Sequence, residues 1–115
     1  MNTDTFDGYQ EWTRETAAYP ERGKATTAAL VYVGLGLGEA GEIQNQIKKV
    51  LRDDAGVLTE TRRKAIIAEA GDLAWYLARL ADELHVPLSR IIQGNMDKLE
   101  DRKQRGVIGG SGDKR

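Results

Sequence analysis

Apolar positions recur every three or four residues along most of the chain, and no stretch alternates as a half-buried strand would. The first run, about Thr5 to Ala18, sets Phe6, Tyr9, Thr13 and Thr16 at helical spacing with Trp12 beside them. Pro20-Glu21-Arg22-Gly23 closes it. A second run extends from near Lys24 to about Arg52, with Ala40, Ile43, Ile47, Val50 and Leu51 as its inward stripe. Gly34, Gly36, Gly38 and Gly41 fall inside it, each costing up to about 1 kcal/mol relative to Ala in a helix interior. Two readings of these glycines stay open: close approach by a helix or ligand, or a break near Gly34–Gly38 that divides the run.

Asp53-Asp54-Ala55-Gly56 reads as a loop, and Thr59 or Thr61 is placed to cap a helix from about Glu60 to His85. Ile66, Ile67, Ala70, Leu73, Ala74, Leu77, Leu80, Ala81 and Leu84 cover a broad sector of it, which predicts a central helix buried on several sides. Pro87 suits the first turn of a last helix, about Pro87 to Gln104, with Leu88, Ile91, Ile92, Met96 and Leu99 inward. The expected fold is all-α: a bundle of four to five helices in residues 1–105, followed by a Gly-rich tail, 106–115, read by default as a flexible end.

Two short stretches interrupt this pattern with carboxylates. Glu39-Ala40-Gly41-Glu42 and Glu69-Ala70-Gly71-Asp72 each place acids at i and i+3 inside a helical run. Positions three apart point about 60° from one another, so each pair shares a face. One such pair would mean little, since exposed acids three apart are common on helices. Two pairs of the form acid-Ala-Gly-acid, both beside apolar stripes, point to a cation site shared between helices. Four acids brought together repel one another unless cations neutralise them. Neither stretch contains His or Cys, and an oxygen-only set suits Mg²⁺, or Mn²⁺, better than zinc or copper. The single histidine, His85, lies outside any Glu-X-X-His arrangement, which sets aside di-iron and zinc-hydrolase chemistry.

Composition narrows the partners. With 17 basic and 18 acidic residues the formal net charge is −1, which argues against a large footprint on a nucleic acid polymer or an anionic membrane. The absence of cysteine excludes thiol chemistry and disulfides. No apolar stretch approaches the roughly 20 residues needed to cross a bilayer, and the expectation is a cytoplasmic protein, of a bacterial cell or of a phage-infected host.

Magnesium held by few protein ligands usually keeps positions for water and substrate phosphates, which directs attention to phosphoryl chemistry. On the last helix Asn95 falls among inward apolar positions, and Lys98 and Arg102 continue from it at i+3 and i+7. Lys98 and Arg102 could hold phosphate oxygens, Arg102 with a two-pronged contact. The plainer reading is a solvated face, with Lys98 paired to its helical neighbours. No glycine-rich phosphate loop occurs, so any phosphate binding must come from metal and side chains. One of the carboxylates, Glu39 or Glu42, would act as base toward water.

Gly38-Glu39-Ala40-Gly41-Glu42-Ile43, Glu69-Ala70-Gly71-Asp72-Leu73 and the helix bearing Asn95, Lys98 and Arg102 together resemble the MazG-like nucleoside triphosphate pyrophosphohydrolases, of the all-α NTP pyrophosphatase superfamily. The resemblance implies Mg²⁺ on Glu39, Glu42, Glu69 and Asp72, and phosphate contacts by Lys98 and Arg102. It further implies cleavage between the α and β phosphates to nucleoside monophosphate and pyrophosphate, and assembly as a dimer or dimer of dimers. The ending, Gly110 to Arg115, looks like that of short phage-type members and could fold over the nucleotide. Base selection is not written in the motifs, although Tyr9, Gln10, Trp12 and Thr16 stand as candidates. Two alternatives remain: a phosphoribosyl-ATP pyrophosphohydrolase, or a non-catalytic helical module that oligomerises and regulates a partner.

Overall fold

In the computed structural model, which describes residues 5–115, five helices follow one another: α1 (Phe6–Thr13), α2 (Thr27–Gly36), α3 (Glu39–Arg52), α4 (Glu60–Glu83) and α5 (Leu88–Gln104). Among the described residues there is no strand. Thr5 and Thr59 begin α1 and α4 by accepting the amides of Gly8 and Arg62 at 2.9 and 3.1 Å. The first helix is shorter than its pattern suggests. Thr13 and Thr16 turn their hydroxyls back onto the carbonyls of Gln10 and Thr13, which competes with helical propagation.

Of the two readings of the glycine-rich run, the structure shows the break: α2 ends at Gly36 and α3 begins at Glu39, with Leu37 and Gly38 between them. A close approach occurs as well. A Cβ on Gly36 would lie 2.0 Å from the ring of Tyr76, so only glycine lets that ring cross α2.

The long α4 packs against all four other helices, as its broad apolar sector predicts. Ala29 and Val33 of α2 meet Ala17 and Tyr19 above Trp75 and Leu80, while Ala78 and Ala81 meet Leu88. α1 also closes the start of α5: Gln10 Oε1 accepts the Leu88 amide at 2.7 Å, and Asp7 accepts the amide and hydroxyl of Ser89. These are the amides that helical geometry leaves unpaired.

The interior holds a polar network that the apolar pattern does not announce. Arg79 and Glu83 are both 0% exposed. Arg79 donates to Asp82 (2.7 Å), Tyr19 (3.1 Å) and Thr13 (3.2 Å). Glu83 accepts the Tyr19 hydroxyl at 2.5 Å and the amides of Gly23 and Ala25 at 2.7 and 2.9 Å. That carboxylate holds the connection from α1 to α2 in a conformation with positive φ at Glu21, Gly23 and Ala25. Burial alone would raise the Glu83 pKa. The Tyr19 hydroxyl, the two amides and the Arg79 charge outweigh it, and the group titrates below its ordinary value.

Two expectations need correction. The stripe of α3 is only partly covered: Ile43 and Val50 are half-buried, whereas Ala40, Ile47 and Leu51 are exposed, the last two at 52% and 76%, and no residue of that helix is fully buried. The main cover of α3 comes from α4, which lies along one side of it. On α5, Leu88 is buried, but Met96 and Leu99 are exposed, because the helix runs past the end of its contact with the bundle. The chain therefore exposes 7818 Å², where a compact monomer of this mass exposes about 6,200 Å². Its radius of gyration, 17.0 Å, also exceeds the roughly 13 Å of a compact domain of this length.

Candidate metal centre and adjoining cavity

The hairpin of α3 and α4 aligns the two acidic stretches. Arg62 near the start of α4 bonds Gln46 of α3 at 2.8 Å and Asp54 of the connecting loop at 2.9 Å. Seven residues back along α3 and seven onward along α4, the antiparallel pairing brings Glu39 opposite Glu69. One carboxylate oxygen each from Glu39, Glu69 and Asp72 lies within 4.8 Å of the others. Glu39 and Glu42 occupy the first turn of α3, where unpaired amides favour negative charge.

This crowding has an electrostatic signature. Lost hydration, a hydrogen bond shared with Glu39 and the charges of Glu39, Asp72 and Glu42 all raise the Glu69 pKa above the ordinary carboxylate value. A divalent cation among three carboxylates would replace repulsion with attraction. The donor set, oxygen only and partly exposed to solvent, fits Mg²⁺ or Mn²⁺.

Glu42 is the one acid of the four outside this trio. It lines, with Glu39, a cavity of about 480 Å³ whose other walls are Tyr32, Leu35, Gly36, Gly38 and Tyr76. Tyr32 and Tyr76 stand 6.4 Å apart at 43°, and Tyr32 stacks on Tyr19 at 4.9 Å. Burial, then the nearby Tyr32, then the negative charges of Glu39 and Asp72, raise the Tyr76 hydroxyl. An aromatic wall thus borders the acids. Sequence reasoning missed both tyrosines. Tyr76 sits one turn beyond Asp72 and could have been found by its spacing, but the helix break hides Tyr32.

The α5 residues neither line this cavity nor belong to the acidic trio. Asn95 is exposed, which removes the unsatisfied amide that its place among apolar residues suggests. Lys98 and Arg102 do not pair along the helix. Both donate to Asp113, Lys98 at 2.8 Å and Arg102 at 3.3 Å, and Arg102 also takes the Asp113 carbonyl. Segment 106–115, expected as a flexible end, is held in turns against α5. Among the base-reading candidates, Gln10 is committed to the start of α5 and Thr16 accepts the Trp75 indole at 2.8 Å. Tyr9 and Trp12 stack on each other at 6.2 Å.

The MazG nucleotide pyrophosphohydrolase domain matches residues 30–107, which include all four acids and Asn95, Lys98 and Arg102. The chain is 51% identical over 111 residues to the Gene 37 protein of Mycobacterium phage L5, spanning 95% of this chain and 97% of that one. No solved structure matches it. Among the described residues, no helix is long and apolar enough to cross a membrane.

Proposed function

The chain belongs to the MazG nucleotide pyrophosphohydrolase family, and from that membership we propose that it hydrolyses (deoxy)nucleoside triphosphates, with Mg²⁺, to nucleoside monophosphate and pyrophosphate. The observation that carries this reading is the convergence of Glu39, Glu69 and Asp72 beside an aromatic-walled cavity. Glu39, Glu69 and Asp72, with Glu42 beside them, would hold the cation, which when bound would supply Lewis-acid activation of the phosphates. Tyr32 and Tyr76 flank the nucleoside. Glu39 or Glu42, both lining the cavity, accepts the proton of the attacking water. The hydroxyl of that water adds to phosphorus, the bridging bond between the α and β phosphates breaks, and pyrophosphate leaves.

Lys98 and Arg102 contact phosphate oxygens, and Asn95 lies on the same line of α5. They share no hydrogen bond with the acids in the single chain. The exposed stripe of Ile47 and Leu51 calls for cover. A second copy, in a dimer or dimer of dimers, supplies that cover and carries an α5 toward its neighbour's acids. The reaction is placed in the cytoplasm, in nucleotide-pool control or housecleaning.

The test is a panel of canonical and modified NTPs and dNTPs with Mg²⁺ or Mn²⁺, separating monophosphate from diphosphate products, with Glu42→Gln and Asp72→Asn beside wild type. Cation-dependent pyrophosphate release that both substitutions abolish supports the reading. Full activity in both variants overturns it.

A further inference from the structure

The contact between Asp113 and α5 occupies the two cations that the proposed function assigns to phosphate. A single carboxylate oxygen, Asp113 Oδ1, accepts from both Lys98 Nζ and Arg102 Nη2, at 2.8 and 3.3 Å. The Asp113 backbone carbonyl takes Arg102 Nη2 as well. Arg102 is only 4% exposed, so its guanidinium is held in place and has little freedom to serve two anions at once. The same donors, facing one point, are what a phosphate oxygen requires.

The segment that presents Asp113 is folded for the purpose. Positive φ at Gly106, Gly110 and Gly112 lets it double back on α5. Arg115 then ties it together, donating to the carbonyls of Val107 (3.2 Å), Ile108 (3.0 Å) and Gly112 (2.5 Å). Arg105 fastens it to the helix through the Arg115 carbonyl at 2.8 Å. The Asp113 side chain itself stays 78% exposed, so salt and a competing anion can reach the contact.

We infer that Asp113 is an internal stand-in for phosphate, which holds Lys98 and Arg102 until a polyphosphate displaces it. The inference rests on the reading of Lys98 and Arg102 as phosphate contacts and adds a regulatory layer to it. A polyphosphate carries more charge and more acceptor oxygens than one carboxylate, so it wins at sufficient concentration. The closed segment lowers apparent affinity by the fraction of molecules in which it is seated. The hydrogen bonds from Lys98 and Arg102, with the Lys98 charge, also keep Asp113 titrating below the ordinary carboxylate range, so the contact persists at neutral pH.

The experiment measures binding of inorganic tripolyphosphate by calorimetry, without turnover, to the full chain and to Asp113→Asn, Asp113→Glu and Glu100→Gln. Glu100, exposed on α5, controls for the loss of one negative charge near the cations. Asp113→Asn is expected to bind about three- to tenfold more tightly than wild type, which is about 0.6–1.4 kcal/mol. The gain should shrink as ionic strength rises, and Asp113→Glu and Glu100→Gln should stay near wild type. Asp113→Asn binding no more tightly than wild type overturns the inference, as does an equal gain in Glu100→Gln, or no measurable binding by Asp113→Asn. Because no hydrolysis is read, a lack of pyrophosphohydrolase activity would be a separate result.

Discussion

Tyr19 donates its hydroxyl to Glu83 at 2.5 Å in a part of the molecule that water does not reach. Glu83 also holds two loop amides and lies 3.8 Å from the Nη2 of Arg79, a nitrogen with no hydrogen-bond partner among the described residues. Removing one member of such a group leaves the others buried and uncompensated. Glu83→Gln should therefore cost about 3–5 kcal/mol, and Tyr19→Phe about 1–3 kcal/mol. Urea unfolding followed by circular dichroism measures both.

Asp82 and Glu83 both titrate below their ordinary values of 3.8 and 4.5. For Asp82, burial acts upward, and the hydrogen bonds of Arg14 and Arg79 outweigh it. A carboxylate with a depressed folded-state pKa adds stability that is complete above its unfolded value and disappears as pH falls through the folded one. The melting temperature should thus hold above about pH 5 and fall steeply below about pH 4. In Glu83→Gln the acid limb of that profile should flatten.

Glu69 has the opposite sign. Its raised pKa means that the metal-free chain is strained by the ionised carboxylate. Without divalent cations, Glu69→Gln should melt at a higher temperature than wild type at neutral pH, and the difference should narrow on acidification. Adding Mg²⁺ should raise the wild-type melting temperature and leave Asp72→Asn almost unmoved. Differential scanning fluorimetry with EDTA and with Mg²⁺ distinguishes these cases.

Gly36→Ala places a methyl group 2.0 Å from the Tyr76 ring. The ring must move or α2 must lift, at a cost of about 1–3 kcal/mol. With Tyr76 displaced, the nucleotide KM should rise. Tyr76→Ala should remove most of the stability cost in the double variant, which a double-mutant cycle can read.

Leu51→Glu and Ile47→Glu change positions that the single chain leaves uncovered. The substitutions should leave helix content near wild type and shift the protein toward monomer in light scattering. If Lys98 and Arg102 reach a neighbour's acids, activity should fall with the dimer fraction and recover at high protein concentration.

How much of this was written in the residue pattern depends on how local each feature is. The helices of residues 60–83 and 88–104 follow directly from their three- and four-residue periodicity. The i and i+3 spacing pairs the acids within each stretch, but the approach of the two helices brings together Glu39, Glu69 and Asp72 and leaves Glu42 aside. The α3 stripe also read correctly as apolar and amphipathic. Periodicity says which residues share a side, not whether the cover comes from the same chain, so Ile47 and Leu51 were expected inside and lie outside. The Arg79–Glu83 network was illegible for a different reason. Its partners Thr13, Tyr19, Gly23 and Ala25 come from a distant irregular stretch whose course no spacing rule encodes. Segment 106–115 likewise reads as loose by composition, and the contacts of Asp113, Arg115 and Arg105 give it a shape.

Asp82 lies ten positions along α4 from Asp72, about 15 Å of helix. The groups that secure the fold and the groups proposed for chemistry therefore sit on different stretches of one rod. Replacements at Glu42 and Tyr76 leave the anchor at Glu83 untouched, whereas Tyr32 stacks on Tyr19 and so reaches it. A lineage adapting to a new nucleotide through Glu42 and Tyr76 would need no compensating stabiliser, and a directed-evolution library confined to those two positions should retain a higher share of folded members than one that also varies Tyr32.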